Sequence, residues 1–288
     1  MPEDRQMTHV EHFIPKMYLR QFSDSKTSLY RYNVNNLEKE PELRSLDKVC
    51  REIDMYELFG KDGSYITPNR IENIFGKIEK NTSKVIEFIK VKSQNDNCLK
   101  CASVLSENEK SLLIIFMTTL LYRDPQTIEN GINFLQQSNP DMDIREARNF
   151  TLMNLLPLGV DSTWDENTII RTAINSLCGM AFQIGISEDD VIITSDRPVI
   201  WGTIYKDDSY NRPSSAIFPL TSRLVLYLFP IESVDPIVSN CFIKLNNEQI
   251  DDIQANVAVY ARDWIFSRNA LTDAQLNNVK NARSLLQQ

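Results

Sequence analysis

Histidine is almost missing from this sequence: 288 residues include only His9 and His12. Any mechanism that needs an imidazole must use one of these two. Glycine is scarce, with 8 residues, which argues against a loop-dominated barrel and against a glycine-rich phosphate cradle. There is no Gly-x-Ser-x-Gly elbow, no Walker loop and no dinucleotide fingerprint. The longest apolar run, 112–121, is half the length that a membrane span needs, so it reads as a buried helix and no membrane partner is expected. Met1-Pro-Glu-Asp-Arg-Gln6 is polar with no apolar segment behind it, so no signal peptide is expected. Five scattered cysteines, an odd number, argue against a disulfide scaffold and fit a reducing cytoplasm. Basic residues are outnumbered: the net charge of -8 disfavours non-specific binding of nucleic acid, although a local basic groove stays open.

What is present is an ordinary globular composition, 42% hydrophobic and 24% charged. Pro15 suits a first helical position, and Tyr18 and Phe22 share a face at four-residue spacing while Lys16 and Arg20 point elsewhere. Alternation over 29–34 predicts a strand. The charged stretch 35–66 is expected to be irregular, with a second strand at 55–59 and a turn at Gly60-Lys-Asp-Gly63. A long helix is predicted after Thr67-Pro68, carrying Ile71, Phe75, Ile78, Val85 and Ile89 on one side. Ser106-Glu-Asn-Glu109 is a capping box that launches the apolar helix ending at Arg123-Asp124-Pro125. Further helices are predicted at 126–137, 143–155 and 165–185. Short β-rich runs follow through 191–245, broken by prolines; then come a helix over 247–267 and a last one capped by Thr272. The expected fold is α+β, predominantly helical with one small, mostly antiparallel sheet. The whole chain, 1–288, would form a single domain in which strand 29–34 joins the sheet of 190–245.

Four polar residues of catalytic type sit at predicted element ends: His12, Glu79, Arg123 and Asp196. His12 could serve as general acid or base, or simply fix the N-terminal arm through backbone hydrogen bonds. Glu72 and Glu79 lie seven apart on the long helix and could hold a metal or form salt bridges. Arg123 ends an apolar helix, so it is expected to meet a carboxylate or a bound anion, or to complement the helix dipole. Asp196, in Thr194-Ser-Asp-Arg-Pro198, could orient an imidazole, bind a metal or cap a turn. Cys98-Leu-Lys-Cys101 has zinc spacing, and with no second Cys-x-x-Cys its other ligands would have to be His9 and His12, themselves three apart; two free thiols in a polar loop is the better reading.

In order, His12-x-x-Pro15-x-x-Tyr18-Leu19-x-x-Phe22, the Glu-bearing helix 68–92, Arg123-x-Pro125, Ser195-Asp196-x-Pro198, Phe218-Pro219-Leu220-Thr221 and Leu245-Asn246 resemble the domain of unknown function 4238 family over about 10–268. The family usually has a threonine after the arginine, where this chain has Asp124. The resemblance supplies a pattern and no mechanism. Two functions remain open. One is a nuclease-like hydrolase acting on a phosphate-containing substrate in a bacterial or phage conflict system: His12 is the acid or base, Arg123 stabilises the anion, and Glu79 with Asp196 orient groups or hold a divalent metal ion. The other is a non-catalytic binding or regulatory module in which the same residues form a structural network. Partner and oligomeric state are not read from the sequence.

Overall fold

The structure, a computed structural model, describes residues 9–24, 27–100, 103–155, 177, 179–202, 215–230 and 239–286. Its N-terminal element begins with strand β1 (Val10–His12), paired antiparallel with β4 (Arg51–Ile53) so that His12 faces Arg51. Pro15 then caps the short helix α1 (Lys16–Leu19), which tightens into a 3-10 turn over Arg20–Phe22. Four-residue spacing puts Tyr18 and Phe22 inward, and both are fully buried. The Tyr18 ring stacks on Phe218 at 5.3 Å. Its hydroxyl donates to the Pro219 carbonyl (2.8 Å) and shares a 2.7 Å bond with Thr194 Oγ1. The element is thereby fastened to segments about 200 residues further along the chain.

The fold is α+β, but the single small sheet expected from the sequence is replaced by several. The strand predicted at 29–34 is β2 (Ser28–Asn33). It lies between β3 (Glu42–Ser45) and β13 (Trp264–Ser267), with β8 (Thr194–Ser195) beyond β13, in a four-stranded antiparallel sheet. The remaining β-rich runs make a separate five-stranded sheet in the order β12-β7-β11-β10-β9. These are β7 (Met180–Ile186), β9 (Ile200–Gly202), β10 (Ser215–Thr221), β11 (Leu224–Pro230) and β12 (Cys241–Lys244). Its one parallel pair is β12 with β7. A small hairpin, β5 (Leu58–Phe59) with β6 (Tyr65–Ile66), turns through Gly63 at φ +82°, a conformation that favours glycine.

The helices follow their capping signals. Ser106 and Glu109 form the reciprocal box that starts α3 (Glu107–Tyr122), and Asp124 caps α4 (Pro125–Ser138) with proline in the first position. Then come α5 (Ile144–Leu155), α6 (Asn247–Tyr260) and α7 (Asp273–Ser284), the last two with capping boxes from Asn246 and Thr272. The long helix α2 (Arg70–Ser93) starts later than Thr67-Pro68 suggests. Asn69, left-handed at φ 59°, precedes it without a side-chain cap.

Three sequence expectations shift. Most of 165–185 lies outside the described residues, but its end is strand β7, not helix. Buried between β11 and β12, that strand is apolar on both faces and loses the alternation that would mark it. The helix expected over 247–267 stops at Tyr260, and Trp264 belongs to β13. Between 35 and 66, strands β3 and β4 replace irregular chain, and only Leu58–Phe59 of the expected 55–59 strand forms. The buried apolar residues of both large sheets and of α2, α3 and α6 make one contiguous cluster, and each fully buried Leu, Ile or Phe contributes about 1.5–3 kcal/mol.

Tyr18→Phe removes one donor and leaves the Pro219 carbonyl and Thr194 hydroxyl short of a partner. We expect a loss of about 1–2 kcal/mol in urea unfolding, with the m-value unchanged. A variant as stable as the parent would show that the hydroxyl does not fasten the element.

Candidate functional site

Of the four residues singled out in the sequence, three meet. Arg123, at the end of α3, is 1% exposed and points into the space between β1, α2 and the segment before β5. Its guanidinium donates through Nη1 to Glu79 Oε1 at 2.9 Å, through Nη2 to the backbone carbonyl of His12, and through Nε to the Tyr56 hydroxyl at 3.3 Å. The Tyr56 hydroxyl donates back to the Arg123 carbonyl at 3.0 Å. The Phe75 ring covers one face, its centroid 4.2 Å from the guanidinium carbon. Burial alone would lower the pKa of this arginine, but Tyr56, Glu79 and Glu72 hold it above its ordinary value. Glu79 is the wet end of the pair, with 22% of its side chain exposed.

His12 enters this cluster by its carbonyl, not by its imidazole. The ring lies towards Lys16, Leu46 and Asp47. Burial, then the positive charge of Lys16, pushes its pKa down to about 4, so the ring is neutral at physiological pH. Its Nε2 is buried and makes no hydrogen bond. The neighbouring Glu11, unnoticed in the sequence, is 1% exposed and accepts the Tyr56 N–H at 2.8 Å. Burial raises its pKa to about 7, with Glu72 and Glu57 adding repulsion. One carboxylate oxygen of Glu11 and one of Glu72 are buried without a hydrogen-bond partner.

Asp196 stands apart. No described hydrogen bond or ion pair links it to His12, Glu79 or Arg123. Its buried carboxylate accepts three consecutive backbone N–H groups, from Arg262 (2.9 Å), Asp263 (2.8 Å) and Trp264 (3.1 Å), and so shapes the turn that ends α6 and starts β13. Burial nonetheless raises its pKa, those backbone bonds opposing the shift. Next to Arg123, Asp124 is ion-paired with Arg197 (3.1 Å) and Arg262 (3.4 Å). The Arg123-x-Pro125 and Ser195-Asp196-x-Pro198 segments therefore do meet, through Asp124 and Arg197. They flank a cavity of about 320 Å³ lined by Leu121, Thr127, Pro198 and Trp201. The Asp124 cap was legible from Pro125 behind it; its two arginine partners come from distant loops and left no sequence signal.

The cationic groups that could meet a ligand lie elsewhere. A cavity of about 590 Å³ opens where the 3-10 turn after α1, the end of α2 and the β10–β11 turn converge. Arg20, Lys90, Arg223 and Arg268 line it, with Asp24 and Asp190 as the acidic residues. Asp190 is occupied by the Ser222 hydroxyl and by Arg268 at 3.4 Å, while Lys90 pairs with Glu87 at 2.8 Å. Arg223 uses Nε on the Ser187 carbonyl at 3.2 Å; its Nη groups and the Arg20 guanidinium make no hydrogen bond or ion pair among the described residues, and their charges are felt at Glu188 and Asp47. Arg20 is the residue that helical spacing places opposite the buried Tyr18–Phe22 face. Among the described residues no group of three or more His, Cys, Asp or Glu side chains is placed to hold a metal ion. Cys98 is buried and free, and Cys101 lies outside the described residues. No described helix is long and apolar enough to cross a membrane.

The pattern seen in the sequence extends across the chain. The sequence model of the family described as protein of unknown function (DUF4238) matches residues 11–270, and this chain belongs to that family. Neither a curated protein nor a solved structure matches it.

Two outcomes test the cluster. Arg123→Ala strands the His12 carbonyl, leaves Glu79 without its ion-pair partner and opens a void, so we expect a loss of roughly 3 kcal/mol or more by denaturant unfolding; a loss under 1 kcal/mol would remove Arg123 as a structural centre. Glu11 and His12 oppose each other in pH dependence. The raised pKa of Glu11 gives stability that is complete below 4.5 and lost as pH rises to about 7; the lowered pKa of His12 gives stability that is present above 6.5 and lost as pH falls towards 4. Glu11→Gln is expected to melt roughly 2–4 °C above the parent at pH 8 and to show the His12 acid loss uncompensated between pH 6.5 and 4.5. Parallel melting curves for the two proteins across that range would refute the assignment.

Proposed function

We propose that the protein is a binding module for a small phosphate-bearing ligand, held in the 590 Å³ cavity beneath Arg20 and Arg223, and that the Arg123 cluster is the structural network that positions the N-terminal element above it. The observation that carries this reading is the set of four cationic side chains, two of them with unused guanidinium donors, around one cavity in a chain of net charge -8. Arginine forks match phosphate oxygens in pairs. The volume lies within the roughly 300–1,000 Å³ typical of small-molecule sites. Support for a structural Arg123 cluster comes from its occupied donors: an arginine that already serves Glu79, Tyr56 and the His12 carbonyl has little left to offer a substrate.

The hydrolase reading, with His12, Glu79, Arg123 and Asp196 as catalytic residues, draws on the convergence of three of them and makes a distinct prediction. Nucleoside mono-, di- and triphosphates in low-salt buffer are the probes. Under the binding reading at least one raises the melting temperature, by about 2.7 kcal/mol of added stability at a hundredfold excess over Kd. Arg20→Ala with Arg223→Ala is expected to weaken that nucleotide at least tenfold, while loss of the Arg223 bond to the Ser187 carbonyl costs the free protein no more than about 1 kcal/mol, and no product forms. Product formation that His12→Ala abolishes at unchanged melting temperature would replace this reading with the hydrolase one. Failure of every nucleotide to bind would end both.

A further inference from the structure

A second cavity, of about 280 Å³, lies on the other side of the N-terminal element, between the β1–β4 ribbon and the β2–β13 face of the four-stranded sheet. Its charged lining is entirely cationic: Arg31, Lys48, Arg51 and Arg262, with Phe13 and Trp264 as aromatic walls. From this arrangement we infer that the cavity is a binding site for a compact phosphomonoester, distinct from the site beneath Arg20 and independent of it.

Each cation is there for a local reason. Period-two alternation puts Arg31 on the same face of the sheet as its partner Phe266 and diagonal to Trp264. Arg31 is anchored by Glu42 at 2.5 Å through Nη2 and sits over the indole of Trp264, its guanidinium carbon 3.9 Å from the ring centroid. That leaves its Nε–H buried without an acceptor, which a folded protein seldom tolerates. Arg262 spends Nε on Asp263 and Nη1 on Asp124, so Nη2 remains. Lys48 ends the 3-10 turn over Leu46–Lys48 and Arg51 starts β4; both are exposed, and neither has an ion pair or hydrogen bond from its side chain among the described residues.

Glu42 pairs with Arg31, and Asp124 and Asp263 with Arg262, from outside the cavity, but no carboxylate lines it, so Lys48 and Arg51 face it without a counter-charge among the described residues. In a chain with eight more acidic than basic residues, the gathering of four cations here, with Lys48 and Arg51 unpaired among the described residues, is not explained by composition. An acceptor with charge near -2 and three peripheral oxygens answers the charges of Lys48 and Arg51 and the unused Nη2 of Arg262, which a singly charged carboxylate does less completely. The cavity is smaller than the roughly 300–1,000 Å³ of sites for drug-sized molecules, which selects a compact ligand. The walls of Phe13 and Trp264 favour an ester with a flat apolar group over the free ion.

Phenyl phosphate and inorganic phosphate, titrated calorimetrically at low ionic strength into the Arg20→Ala, Arg223→Ala protein, isolate this cavity from the larger one. Phenyl phosphate is expected to bind several-fold more tightly than inorganic phosphate. Adding Lys48→Ala and Arg51→Ala is expected to weaken it at least tenfold while the melting temperature stays within roughly 1 °C, because neither side chain has a structural partner. Three results would each overturn the assignment: no binding of phenyl phosphate, binding unaffected by the Lys48 and Arg51 substitutions, or binding of inorganic phosphate as tight as that of the ester. Loss of nucleotide binding at the Arg20 cavity leaves this inference standing, and its failure leaves that reading standing.

Discussion

The rest of the structure depends on one buried cation. Arg123 terminates the most apolar of the described helices, and its buried guanidinium has to find acceptors within the fold. The acceptors it finds belong to three separated segments: the β1 carbonyl of His12, the Tyr56 hydroxyl before β5, and Glu79 on α2. A short strand such as β1, three residues paired only with β4, could not hold its place on ladder bonds alone. It is held by the bond from Arg123 to the His12 carbonyl together with the burial of Glu11, Phe13 and Ile14. The same demand explains why Tyr56 is fully buried with its hydroxyl satisfied on both sides.

The outline of the fold was legible where local chemistry decides it. The capping box at Ser106, the cap at Thr272 and the Tyr18–Phe22 spacing all gave elements that the structure contains. It was illegible where tertiary pairing overrides the local pattern. β7 is apolar on both faces, so its residues mimic one side of a helix. The segment after Tyr260 leaves the helix because the Asp196 carboxylate collects three N–H groups there, a partner 66 residues away that no window of sequence contains. The number of sheets was misjudged for a related reason: β8 and β9 are close in sequence but belong to different sheets.

The candidate site divides along the same line. That Arg123 would meet a carboxylate followed from a charge at the end of an apolar helix, and the carboxylate proved to be Glu79. That His12 would contribute a carbonyl, with its ring turned towards Lys16 and Asp47, could not follow, because residue type says nothing about which of its groups is used. Glu11 gave no signal at all; a lone carboxylate in a three-residue strand reads as surface until the chain folds over it. The two arginine-lined cavities were equally hidden, since their residues come from segments scattered between positions 13 and 268.

The attachment of Tyr18 to Thr194 and Pro219 also bears on the order of events during synthesis. Those partners lie 176 and 201 residues downstream. On a ribosome adding roughly 5–20 residues per second, the aromatic face of Tyr18, Leu19 and Phe22 spends on the order of 10–40 s outside the tunnel before anything exists to receive it. Throughout that interval the nascent chain displays this apolar face in water. The native topology, closed by its own first element, is among the last arrangements the chain can reach.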